Sequence, residues 1–191
     1  MASLKGIMFN QYAAEGLSHL IEELQSKYKP KKGRRFHNNN ITYEISRPVL
    51  HDNSLEFEIS SKIPQDELPT EKEMQDYFTA IKKVVNEQEK KPDSVEMENI
   101  VWDSKKETEK KREYVKLHYS YPLEDLYDDQ EIVKRSKSYE DGTAQEPLPE
   151  IPGGFTTPGK IALVMVKEKI QEYCREHILN LIEANKKIRG K

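Results

Sequence analysis

Cysteine is almost missing from this chain. Cys174 stands alone among 191 residues, so no intramolecular disulfide can form, and the usage fits a reducing, cytoplasmic setting. Long apolar runs are missing too. The longest, IALVMV at 161–166, is far short of the roughly 20 residues that span a bilayer. The N-terminal MASLKGIMFNQY lacks the apolar segment of a secretory signal, and no membrane association is expected. A large charge of one sign is absent as well. Thirty-one Lys and Arg oppose 34 Asp and Glu, for a net charge of −3, which excludes a globally basic nucleic-acid protein but leaves room for a local basic stripe. Mean hydropathy is low, at −0.89. So small a net charge does not drive the chain open, however, and periodic apolar positions predict a modest core.

Those periodicities give an α+β chain. Leu17, Leu20, Ile21, Leu24 and Tyr28 recur at spacings of three and four, which predicts a helix over 9–28, stopped by Pro30. Residues 41–46 and 54–60 alternate apolar and polar, with the turn cluster HDNS at 51–54 between them, and read as a hairpin with one buried face. Pro48 marks an edge or a bulge there. Thr70 and Glu73 have the spacing of a capping box and open a second helix with a stripe of Met74, Tyr77, Phe78, Ile81, Val84 and Val85. Segments 95–102 and 114–121 read as two further strands. The expectation is a four-stranded antiparallel sheet in α-β-β-α-β-β order with helices on one face, over residues 1–121. This helix-strand-strand order resembles that of several small α+β adaptors, secretion chaperones among them, on topology alone.

Residues 122–157 change character. Nine acids face three bases there, and the stretch reads as an acidic, proline-rich linker with room for a short helix in LEDLYDDQEIVKR. Within it PLPEIP at 147–152 has the spacing of a polyproline ligand, but it lacks a well-placed flanking cation and reads more simply as a stiff spacer. Thr157 and Pro158 then open a C-terminal amphipathic helix over 158–191, as N-cap and first-turn proline. Leu163, Val166, Ile170, Tyr173, His177 and Leu181 line one side of it. So wide an apolar stripe must pack either on its own sheet or on a partner chain, which makes it the candidate partner-binding surface and a route to homo-oligomers.

Catalytic patterns are incomplete. Gly154, Gly159 and Lys160 match a phosphate loop, but Ile161 replaces the magnesium-binding hydroxyl and no strand precedes the loop. Asp93, Asp103 and Lys105 have the order of a metal nuclease. In a straight strand, however, the two carboxylates lie roughly 33 Å apart, too far to share a metal. Cys174 and His177 sit three apart on one helix, yet the other histidines offer no matching ligand spacing, and a buried cysteine beside a helix-face histidine is the simpler reading. No catalytic residue, metal site or cofactor is assigned.

The stretch SKYKPKKGRRFHNNN at 26–40 carries Lys27, Lys29, Lys31, Lys32, Arg34 and Arg35 with no carboxylate among them. With Phe36 available for stacking and Asn38, Asn39 and Asn40 for base edges, it is a candidate nucleic-acid grip. The simpler reading is a solvated connector that keeps the chain soluble. A second, diluted cluster runs from Lys105 to Lys116. The leading expectation is a non-enzymatic binding protein, an adaptor, chaperone-like protein or inhibitor with a protein partner. The Lys-, Glu- and Asn-rich composition would suit an accessory protein of a phage or mobile element. Nucleic-acid binding through the basic loop 27–40 is the alternative, and a metal nuclease ranks third.

Overall fold

The computed structural model describes residues 4–64, 67, 70–100 and 112–190. Among them are four helices, α1 (Leu4–Lys27), α2 (Glu71–Asn86), α3 (Asp129–Glu140) and α4 (Thr157–Arg189). Seven strands accompany them: β1 (Lys29–Pro30), β2 (Arg35–Asn38), β3 (Ile41–Ile45), β4 (Val49–His51), β5 (Ser54–Ile63), β6 (Ser94–Ile100) and β7 (Arg112–Pro122). The expected α+β class and antiparallel sheet are present, but the sheet has seven strands rather than four. Its order is β1-β2-β3-β5-β7-β6, with β4 also paired to β5.

The extra strands come from short turns that act below the reach of apolar periodicity. Asn39 and Asn40 both have positive φ, at 50° and 67°, and so do Asp52 and Asn53, at 47° and 63°. Two consecutive left-handed residues make the two-residue hairpin turn that matches strand twist, and Asn and Asp tolerate it best after glycine. The first pair joins β2 to β3 and the second joins β4 to β5. HDNS is therefore a turn, as expected, but it closes β4 onto β5 rather than β3 onto β5. The β3 ladder stops at Ile45. Ser46 N–H then donates to the Glu58 carbonyl at 2.9 Å while Glu58 N–H donates to Ser46 Oγ at 2.8 Å, and the chain breaks at Pro48 before β4 begins.

Burial alternates along β5 without exception, with Leu55, Phe57, Ile59, Ser61 and Ile63 inward. Val115, Leu117, Tyr119 and Tyr121 do the same on β7. The helices pack on that inner side. The other face, with Glu44, Glu58, Ser60, Lys62, Lys116 and His118, is polar and open, the usual pattern for an antiparallel sheet covered once.

The last helix is the centre of the inner layer. It begins one residue earlier than the sequence suggests. Thr156 is the N-cap, its Oγ1 accepting from Gly159 N–H at 3.2 Å, with Pro158 in the first turn and Gly190 closing the helix at φ 66°. α4 runs parallel to α1, with Lys167 on Glu15 at 2.8 Å and Arg175 on Glu23 at 2.7 Å. Between these pairs the helices approach closely at Gly16. α2 opens with the expected capping box, with Thr70 and Glu73 bonded reciprocally. In the stretch read as a linker, residues 123–125 form a 3-10 turn and α3 packs Ile132 against Ile161 and Met165 of α4.

A β-carbon on Gly16 would lie 2.4 Å from the Lys167 carbonyl oxygen. In an open helix interior, Gly→Ala gains up to about 1 kcal/mol. Here the clash dominates, and Gly16→Ala is expected to destabilise by about 1–3 kcal/mol. Thermal unfolding checks it: a midpoint lowered by about 2–4 °C per kcal/mol is expected, and an unchanged or raised midpoint contradicts the close approach.

Candidate functional site

The basic stretch is a built hairpin. Gly33 takes φ 73° at its tip, and Gln25 Nε2 points at the carbonyls of Lys31, Gly33 and Arg35, at 2.9, 3.0 and 2.8 Å. Four of its seven candidate residues make contacts within the fold. Arg34 is half-buried and donates from Nε to the Ile45 carbonyl at 2.9 Å, just where β3 ends. Phe36 is fully buried, stacked between Tyr28 and Tyr43 at centroid distances of 5.5 and 5.2 Å, and is not available to a base. Arg35 pairs with Glu44 at 3.0 Å, and Lys27 lies over the Tyr28 ring. Lys29, Lys31 and Lys32 remain exposed. Burial, then Lys31 and Lys29, holds the His37 pKa below its usual value. Of the asparagines, Asn39 and Asn40 form the β2–β3 turn, and the Asn39 carbonyl accepts from Arg189 at 3.2 Å.

The α4 stripe faces inward. Leu163, Val166, Ile170 and Leu181 are fully buried, His177 is 3% exposed, and Tyr173 stacks on Tyr121 at 4.7 Å. What covers this face is the chain's own sheet and α1. His177 stacks on Tyr119 at 3.9 Å, and its Nε2 lies 2.5 Å from the Tyr121 hydroxyl. About two turns further on, Asn185 Nδ2 donates to Tyr43 Oη at 2.9 Å while its Oδ1 accepts from Tyr77. Burial pushes the hydroxyls of Tyr43, Tyr77, Tyr119 and Tyr121 well above their usual range, so these four stay protonated.

Catalytic patterns gain little. Cys174 is fully buried and its thiol is pushed far up by burial, so it is not a nucleophile. Gly159 N–H is already spent on the helix cap, and residues 141–156 contain no strand. Asp93 is exposed and accepts from the Ser120 hydroxyl. Asp103 and Lys105, with most of the second basic cluster, lie outside the described residues. Among the described residues no group of three His, Cys, Asp or Glu is placed to hold a metal ion, and no helix is long and apolar enough to cross a membrane.

Two clefts flank α2. The first, about 480 Å³, is lined by Ile63, Glu67, Glu73, Asp76, Tyr77, Ile188 and Arg189. Its polar groups are largely engaged with one another or with neighbours: Arg189 pairs with Glu67, Glu73 closes the capping box, and Tyr77 donates to Asn185. The second, about 530 Å³, opens between α2 and β6 and is lined by Met74, Gln75, Phe78, Val95, Glu96, Met97 and Lys116. Met74 is buried, while Phe78, Val95 and Met97 are only partly buried. The register pairs Val95 with Leu117 and Met97 with Val115, so both lie on the inner, apolar face of the sheet. Here, at its last strand, that face reaches solvent. Sequence reading placed Phe78 in a core stripe and Val95 in a strand. It had no signal for which strand ends the sheet, and so none for this cleft.

No family model, no curated protein and no solved structure matches the chain.

In the core, His177 of α4 gives the fold a pH signature. Burial, then Lys90, lowers its pKa to about 4 from 6.5. The unfolded chain therefore binds the proton more tightly than the folded one. Stability is full above pH 6.5 and falls as the pH drops through the window from 6.5 to 4, by about 3 kcal/mol. Urea unfolding of wild type and His177→Phe across this range should show a shallower slope in the variant. Parallel curves would mean that the imidazole titrates normally.

Proposed function

We propose that this chain is a non-enzymatic binding protein, an adaptor or chaperone-like protein, and that it takes a protein partner in the cleft between α2 and β6. One observation carries the reading: Phe78, Val95 and Met97, apolar residues on the inner side of the fold, are only partly buried around a cleft of about 530 Å³. Apolar surface left accessible beside polar surroundings is the usual mark of an interaction site. Burying it on a partner gains about 25 cal/mol per Å². The buried thiol and the incomplete phosphate-loop pattern favour binding over catalysis. The Lys-, Glu- and Asn-rich composition suits an accessory protein of a phage or mobile element.

Replacing Phe78 by photoreactive p-benzoylphenylalanine in the cell of origin tests this directly. Irradiation should yield one discrete protein adduct, lost when Met97→Lys is added. The same probe at Glu56, on the open polar face, should give none. Equal adducts from both positions, or none from position 78, would remove the reading.

A second reading, nucleic-acid binding, is favoured by Lys29, Lys31 and Lys32 standing exposed on one braced hairpin. Three phosphate contacts give a salt slope near −3 on duplex DNA. Anisotropy of labelled DNA and RNA across a salt series should then lose most of that slope in a variant with all three lysines changed to serine. A slope near zero in the wild type would dismiss this reading.

A further inference from the structure

The two edges of the sheet differ. β1 is two residues long and ends on Pro30, which has no N–H to offer. A short strand with a proline is a protected edge. β6 runs seven residues, SVEMENI, without proline or glycine, and among the described residues it pairs only with β7. An unpaired edge of this length is a template for another strand, and it borders the apolar cleft described above.

The charges on the outer face say what kind of strand fits. The registers place Arg35, Glu44, Ser60, Lys116 and Glu96 in one row across five strands, each opposite the next. Arg35 and Glu44 are in contact at 3.0 Å. The row reads positive, negative, neutral, positive, negative, and it ends on Glu96 at the open edge. A cation is the complementary next member, since opposite charges directly across strands attract and like charges repel. A second copy of this chain is a poor occupant. Directly opposed residues in an antiparallel pair point to the same face, so a two-fold pairing of β6 joins even positions to even positions. Position 96 is glutamate, and a register centred on it sets Glu96 against its own copy.

We propose that β6 accepts an extended segment of a partner protein with alternating basic and apolar residues. Lys or Arg faces Glu96 on the outer side, and apolar side chains enter the cleft beside Phe78, Val95 and Met97. This rests on the reading of that cleft as the partner site and specifies how the partner binds there.

The probe is a labelled eight-residue peptide alternating valine and lysine, with both ends blocked, titrated against the full chain by fluorescence anisotropy. Glu96→Lys should weaken binding about fivefold, and a valine–glutamate peptide should gain on that variant. Met97→Lys should abolish binding, with thermal unfolding confirming its fold. Successive residues of a strand turn their N–H groups to opposite edges, so N-methylation of the valines and of the lysines blocks one edge each. One methylated peptide should bind as before and the other should not. Equal affinity of the two, loss of both, or indifference to Glu96→Lys overturns strand addition. If strand addition fails while the adduct from position 78 persists, the cleft remains the partner site and only the mode of binding is wrong. If the adduct is absent as well, both fall.

Discussion

The last helix lies on the inner face of the sheet with His177 stacked on Tyr119 and Asn185 joined to Tyr43 and Tyr77. The rest of the architecture is arranged around that seat. α1 runs beside it through the close approach at Gly16, α3 packs on its first turns through Ile132, and α2 reaches it through Tyr77. Hydrogen-bonded polar groups in a core fix position more sharply than apolar contact does, because a slip leaves them unpaired at about 1–3 kcal/mol each. Asn185 therefore sets where the helix lies along the sheet as well as how firmly it is held.

This seat changes the meaning of two sequence features. The wide stripe of Leu163, Val166, Ile170 and Leu181 has its burial satisfied within the chain, and the proposed partner surface lies instead at the far edge of the sheet. The run of cations at 27–35 is likewise divided. Arg34 closes the frayed end of β3, and Phe36 completes an aromatic stack with Tyr28 and Tyr43. Only the lysines at the hairpin tip face solvent without a role in the fold. A charge run in sequence combines structural and surface cations, and the sorting depends on where the neighbouring strands end.

What could be read in advance follows the same logic. The helical stripes, the capping box at Thr70 and the alternation on β5 are local patterns, set by periods of 3.6 and 2, and they appear in the structure. β1, β2 and β4 are too short to show a period. β2 and β4 are paired through left-handed asparagine and aspartate residues, and β1 through the turn at Gly33, signals hidden among residues equally at home in loops. The polar network of Tyr43, Tyr77 and Asn185 joins residues more than a hundred positions apart, and no spacing announces it. The candidate cleft was least legible of all, because an edge strand and an interior strand differ in what stands beside them.

An open edge on an otherwise covered sheet is a hazard that folded proteins usually blunt. The two edges here are handled by different means. At β1 the strand is cut to two residues and ended with proline. β6 has no second strand partner among the described residues, and in the proposed mode of binding, discrimination against self-pairing falls to charge. Position 96 ends a row of alternating sign. This arrangement discriminates where truncation cannot. In the proposed strand addition it would disfavour an identical strand and favour one that carries cations. Since cross-strand pairs contribute only about 0.2–1 kcal/mol each, charges in such a complex would select among partners, and affinity would come from the main-chain ladder and from apolar side chains placed beside Met97.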